Sequence, residues 1–205
     1  VNQFNGPRGI YLDSIGRIYV SEAAGRVVRM DDFAGTNWTT FGSAGAGTNQ
    51  FAYPYSLTLD SADKIYISDT GNTRIVRIND MTGAGWTSYG SFGTGDGQFT
   101  YNFTPTVDST GAIYGVDNSM TPRIFRMSDF SGTGWTTFGS LGSGTNQFTD
   151  PFGLALDGQG KIFIVDGTNG RIVRIDSILG NNWTSVGTIG AGALQFSNPG
   201  SVFVR

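Results

Sequence analysis

The chain has 205 residues, no histidine, no cysteine, a formal charge of −3 and an isoelectric point near 4.7. Without imidazole or thiol, zinc–histidine centres, Ser-His-Asp triads, thiol nucleophiles and disulfides are excluded among these residues. The acidic balance argues against a surface that tracks nucleic-acid phosphates, no stretch has the apolar length of a membrane span, and no signal-peptide pattern is visible.

Gln3-Phe4 opens the first of a series of similar segments. Gly9-Ile10-Tyr11-Leu12-Asp13 predicts a short strand entering from Pro7 and ending at an aspartate turn. Arg17-Ile18-Tyr19-Val20 predicts a second strand, Ser21 to Gly25 a polar turn, and Arg26 to Met30 a third strand. The segment around Trp38-Thr39-Thr40-Phe41 predicts a fourth, and Gly42 to Asn49 a connector.

The series then repeats. Gln50-Phe51, Gln98-Phe99, Gln147-Phe148 and Gln195-Phe196 follow at separations of about 47 to 49 residues. First strands are predicted at Leu57-Thr58-Leu59-Asp60, Thr106-Val107-Asp108 and Leu154-Ala155-Leu156-Asp157, and second strands at Ile65-Tyr66-Ile67, Ile113-Tyr114 and Ile162-Phe163-Ile164. Third strands follow at Arg74 to Ile78, Arg123 to Met127 and Arg171 to Ile175, and Trp38, Trp86, Trp135 and Trp183 mark the fourth strands. A large ring at one fixed place per copy predicts a packing anchor between neighbours. The small residues Gly9, Ser56, Thr104, Gly153 and Ser201 fall where innermost strands converge and bulk would clash.

A four-stranded unit of this length cannot bury both faces alone and must stack on its neighbours. The expected architecture is therefore all-β: a single β-propeller array over residues 1–205, with blades at about 3–49, 50–97, 98–146 and 147–194. Pro105, inside the third copy's innermost strand, predicts a local irregularity there. The last copy, Gln195 to Arg205, predicts a fifth innermost strand at Val202-Phe203-Val204 with nothing after it.

These landmarks resemble the NHL repeat, a family of β-propeller blades. The best copy runs from Pro54 to Ile78 and closes on Asp69-Thr70-Gly71-Asn72-Thr73-Arg74-Ile75, and Asp166-Gly167-Thr168-Asn169-Gly170-Arg171-Ile172 is close to it. The first copy departs with Glu22 at the aspartate place, and the third with Asn102 at the proline place and a longer turn from Asp117 to Pro122. Propellers of this family are commonly six-bladed, so the resemblance implies either a piece of a larger ring or a chain completed by another molecule.

The pairs Asp69/Arg74, Asp117/Arg123 and Asp166/Arg171 recur in successive copies, whereas an active site draws on several blades once. They are expected to be structural ion pairs. Asp13, Asp60, Asp108 and Asp157 sit at tight turns without a calcium-loop spacing, so no metal is expected at them. Family relatives that are amidating lyases use channel histidines absent from this sequence. Lactonase-like hydrolases use Glu, Asn and Asp on a divalent metal, and Glu22 is the sole glutamate here.

A binding rim remains. Loops entering the innermost strands and loops joining second to third strands share one end of a propeller channel. There they would gather Arg8, Tyr53, Tyr55, Tyr101, Phe103 and Phe152 beside Asp69, Asn72, Asp117, Asp166 and Asn169. Rings beside carboxylates and amides suit a sugar or an extended peptide, while Tyr55, Phe103 and Phe152 equally suit plugs between blades. The expected function is a non-catalytic binding or scaffold module without cofactor. It would be secreted or cell-surface, with a protein partner or self-association through the unfinished fifth copy. The alternative is a propeller hydrolase or lyase using Asp, Asn and a divalent metal.

Overall fold

The computed structural model describes residues 2–100, 103–118 and 121–204. It forms two compact units, Val1–Phe99 and Thr100–Arg205, each holding two blades. Every blade is a four-stranded antiparallel sheet whose strands follow chain order. Blade one is Pro7–Leu12, Ile18–Glu22, Arg26–Met30 and Thr39–Phe41. Blade two is Pro54–Leu59, Ile65–Asp69, Arg74–Ile78 and Thr87–Tyr89. In the second unit, blade three is Phe103–Val107, Ile113–Asp117, Arg123–Met127 and Thr136–Phe138. Blade four is Pro151–Leu156, Ile162–Asp166, Arg171–Ile175 and Thr184–Val186. The fold is all-β, with the blade architecture of a β-propeller.

The second strands show why a blade needs neighbours. All five residues of Ile65–Asp69 are buried, so both faces of that sheet are covered. The fourth strands are half-buried or exposed. Each tryptophan lies one residue before its fourth strand rather than within it. In the first unit, Trp86 of blade two packs on Phe41 of blade one, with ring centroids 6.3 Å apart. In the second, Trp183 packs on Phe138 at 6.2 Å. These rings anchor one blade to the next.

The Gln-Phe marker now has a mechanical meaning. Its two residues form a short parallel pair with the segment leaving the preceding fourth strand, as Gln50–Phe51 does with Ser43–Ala44. The Gln50 side chain accepts the Gly47 amide at 3.0 Å and closes the connector, and the same bond recurs at Gln98, Gln147 and Gln195. Phe51 and Phe148 are fully buried plugs. Gly42 completes this corner with φ at +98°, where an added Cβ would sit 2.6 Å from the Phe51 ring.

Two sequence expectations are corrected. Pro105 does not break its strand: blade three pairs in unbroken register from Phe103↔Asp117 to Val107↔Ile113. The irregularities lie in the other blades, between Pro7 and Ile10, Pro54 and Leu57, and Pro151 and Gly153. An edge strand tolerates a proline whose missing N–H would point away from its partner. At the first two bulges a serine hydroxyl takes up the freed amide, Gly9 N–H donating to Ser21 Oγ at 2.9 Å and Ser56 N–H to Ser68 Oγ at 2.7 Å.

The second correction concerns the tail. Val202-Phe203-Val204 forms no strand. The segment nonetheless runs beside the innermost strand of blade four: a Cβ on Gly153 would lie 3.2 Å from the Ser201 Cα, as one on Gly9 would lie 2.9 Å from the Ser56 Cα. It occupies an innermost-strand place without a ladder, because the described residues supply no second strand to pair with it.

Blade three also carries a coupled exchange of bulk. The cross-strand row Leu57, Ile67, Val76 of blade two becomes Pro105, Gly115, Phe125 in blade three. A Cβ on Gly115 would lie 2.6 Å from the Phe125 ring and 2.7 Å from the Thr104 carbonyl oxygen, so the ring fills the space an isoleucine fills elsewhere. Gly115→Ile is expected to cost about 1–3 kcal/mol by overpacking. Adding Phe125→Val should recover most of that loss, giving strong non-additivity in urea unfolding. A double variant no better than the sum of its parts would refute the exchange.

Candidate functional site

The recurrent carboxylates are framework. Glu22, Asp69, Asp117 and Asp166 end their second strands and are fully buried. Across the ladder each faces the arginine that opens the third strand. The ion pairs are Glu22 with Arg26, Asp69 with Arg74 at 2.8 Å, Asp117 with Arg123 at 3.2 Å and Asp166 with Arg171 at 2.9 Å. Each carboxylate also accepts a backbone N–H from the segment after the Gln-Phe marker: Asn5 at 2.8 Å, Ala52 at 2.6 Å, Thr100 at 3.3 Å and Thr149 at 3.0 Å.

The arginine continues the latch. Arg74 donates to the Gly47 and Gln50 carbonyl oxygens at 3.2 and 3.0 Å, and Arg171 to those of Gly144 and Gln147 at 3.1 and 2.8 Å. Each guanidinium also lies 5.6 Å from a tryptophan ring centroid, Trp86 and Trp183 respectively. Asn72 and Asn169 bridge the carboxylate to a connector carbonyl, donating to Asp69 and Asp166 at 2.8 Å and to Gly45 and Gly142 at 2.9 and 3.0 Å. Asp69, Asn72, Asp117, Asp166 and Asn169 therefore hold connectors to blades. A carboxylate with no exposed surface has no lone pair to offer a solute.

Burial pushes the Asp117 carboxyl above its ordinary range, against hydrogen bonds from Thr100 and the attraction of Arg123. At Asp13, burial is outweighed by hydrogen bonds from the Arg17 side chain and the Arg17 and Ile15 amides, which hold the carboxyl low. Asp13, Asp60, Asp108 and Asp157 all close two-bond turns of this kind, each Oδ1 accepting the amides two and four residues on.

The aromatic candidates separate. Phe103 is fully buried, a plug, and Phe152 and Tyr55 are half-buried. Tyr101 lies outside the described residues. In the first unit Arg8 and Tyr53 come together at the surface: the Arg8 guanidinium lies 4.9 Å from the Tyr53 ring centroid and donates to its hydroxyl. Tyr53 is 44 % exposed and has φ at +56°, held there by Thr70, whose hydroxyl donates to the Tyr53 carbonyl oxygen at 2.5 Å. Left-handed backbone on a bulky residue turns the ring outward over Arg8. In the second unit a polar group escaped the sequence reading. Asp150 accepts hydrogen bonds from the Asn118 amide and, at 3.3 Å, from the Thr168 hydroxyl. Its signal was a column: the same repeat place carries Gly6, Tyr53, Tyr101 and Asn198 in the other copies, so Asp150 is its one carboxylate.

No family model matches the chain. It is similar to NHL repeat-containing protein 3 of Homo sapiens, 33% identical over 76 residues, which is 35% of this chain and 22% of that protein. The Mus musculus protein of the same name is 32% identical over the same length. The chain thus spans about a fifth of the curated relatives it matches. Among solved structures, it resembles a streptogramin B lyase with a TM-score of 0.65 at 18% identity, over 97% of this chain and 64% of that one. It also resembles the virginiamycin B lyase of Staphylococcus aureus with a TM-score of 0.62 at 18% identity, over 90% and 56%. A catalytically inactive histidine-to-alanine variant of that lyase with quinupristin gives 0.57 at 17% identity, over 98% and 75%. Repeat landmarks, blade sheets and sequence likeness agree: the chain is a β-propeller of NHL type, distantly similar to NHL repeat-containing protein 3.

Proposed function

We propose that the chain is a non-catalytic binding and scaffold module. The observation that carries this reading is where its charge is committed: each buried carboxylate is held by an arginine and a backbone amide, in every blade alike. A repeated latch builds walls and does no chemistry. What faces solvent in the first unit is the Arg8–Tyr53 pair, a cation on an aromatic face suited to an extended peptide of a protein partner, or to a sugar. The likeness to lyases is one of fold, and these 205 residues contain no histidine, whereas a histidine-to-alanine change inactivates the staphylococcal lyase. Few charges and abundant Gly, Thr, Ser and Asn support a secreted or cell-surface setting, and the acidic isoelectric point speaks against nucleic acid.

The test is an array of extended peptides and oligosaccharides probed with the wild type and Tyr53→Ala. Retention on a defined subset should fall about tenfold or more in the variant. Retention indifferent to Tyr53, or turnover of quinupristin in the presence of divalent metal, would overturn the reading.

A further inference from the structure

Charges that recur in every blade are framework, so a charge that departs from the repeat has another cause. Glu22, Asp69, Asp117 and Asp166 recur, and each has its arginine. Asp150 does not recur. It stands in the second unit just before Pro151, which opens the innermost strand of blade four, at a place that carries Gly6, Tyr53, Tyr101 and Asn198 in the other copies. It is half-buried, and among the described residues it makes no ion pair.

The Asp150 carboxylate is nonetheless fixed in direction. One oxygen accepts the side-chain amide of Asn118, from the loop after the second strand of blade three. The other accepts the Thr168 hydroxyl at 3.3 Å, from the corresponding loop of blade four. The backbone is tied as well: the Asp150 N–H donates to Asp166 Oδ1 at 3.3 Å, and the Asp150 carbonyl oxygen accepts the Gly167 amide at 2.9 Å. Gly167 lets the half-buried Phe152 ring close on this loop, since a Cβ there would come within 3.1 Å of Phe152 Cδ2. Two neutral donors orient the carboxylate without cancelling its charge, and each oxygen keeps a further acceptor position. A negative charge partly withdrawn from water and held beside an aromatic ring favours a cation.

We propose that Asp150 binds a primary ammonium group, the lysine side chain of a peptide segment of the partner. The proposal rests on the binding-module reading and names the chemistry recognised in the second unit. An ammonium is a compact head with three N–H donors and no coordination sphere to fill. A calcium ion would need six to eight converging oxygens, and among the described residues no three acidic groups gather. The lysine stem suits Phe152, because its methylenes can cover the ring while the head reaches the carboxylate. Arginine is the poorer fit, because its fork engages both carboxylate oxygens at once and each already serves a donor.

Titration of the isotope-labelled 205-residue chain with n-butylammonium chloride, followed by amide NMR, tests it, with sodium chloride at equal ionic strength as the control. The expected result is saturable shifts at the Asp150, Gly167 and Thr168 amides that sodium chloride does not reproduce. Asp150→Asn keeps an acceptor for Asn118 but removes the charge, and should abolish them. The wild-type titration decides the matter by itself if that variant disturbs the fold. On the peptide array, a central lysine should be retained about tenfold more strongly than Nε-acetyllysine or norleucine in the same sequence, and Asp150→Asn should level the three. Shifts matched by sodium chloride, saturation at other amides only, or equal wild-type retention of the three peptides would each overturn the proposal. Retention that needs Tyr53 but ignores lysine would sink the Asp150 site and leave the Arg8–Tyr53 one. Lysine-dependent retention indifferent to Tyr53 would do the reverse, so the two readings fail separately.

Discussion

Replacing Arg171 with alanine is expected to remove about 3–5 kcal/mol of stability from the second unit, a large part of the margin of any domain. The loss is large because of what stays behind. Asp166 has no exposed surface, and its carboxylate keeps the Thr149 amide and the Asn169 side chain but loses its counter-charge. At the same time the Gly144 and Gln147 carbonyl oxygens lose their donor, and Trp183 loses the cation over its ring. Adding Asp166→Asn removes the orphaned charge, so the double variant should be more stable than Arg171→Ala alone. Urea unfolding followed by tryptophan emission measures both. A change under about 1 kcal/mol for Arg171→Ala would place the pair among exposed ion pairs and refute the latch.

Phe148→Ala should cost a similar amount, about 3–5 kcal/mol, through transfer and cavity contributions. The ring is fully buried, 5.4 Å from Trp183 and 6.3 Å from Phe138 between centroids, and an added Cβ on Gly139 would lie 2.6 Å from it. Removing it leaves Trp183 open to water, so its emission should shift red with the loss of stability. Phe33→Ala is the control. The same atoms are deleted from a side chain 90% exposed, and the isolated chain should change by less than about 0.5 kcal/mol. Equal losses at the two sites would mean that Gln-Phe does not mark a plug.

Much of this was legible in the residues because repetition averages out local ambiguity. A short run such as Ile65-Tyr66-Ile67 is equivocal alone, yet in register with Ile18-Tyr19-Val20 and Ile162-Phe163-Ile164 it reads as a strand. The aspartate–arginine pairs were legible as framework for the same reason. The site was less so. A column holding Asp69, Asp117 and Asp166 looks like a rim in a list of loop residues, and only side-chain burial separates it from Tyr53, whose ring is exposed. The misplaced irregularity at Pro105 has a similar origin. Proline's missing donor matters on one side of a strand, and which side faces the ladder is a matter of register.

Period and polarity, then, were enough for the four blades within these residues, their strand order and the structural role of the recurring charges, since those depend on local spacing and on the need of a two-faced sheet for neighbours. Which apolar residues are covered was decided in three dimensions. Ile10 and Leu57, or Phe33 and Met81, hold the same place in the repeat, and their different exposure follows from whether another blade lies against them. The tail shows the same dependence, because a strand exists only where a partner strand takes up its backbone hydrogen bonds.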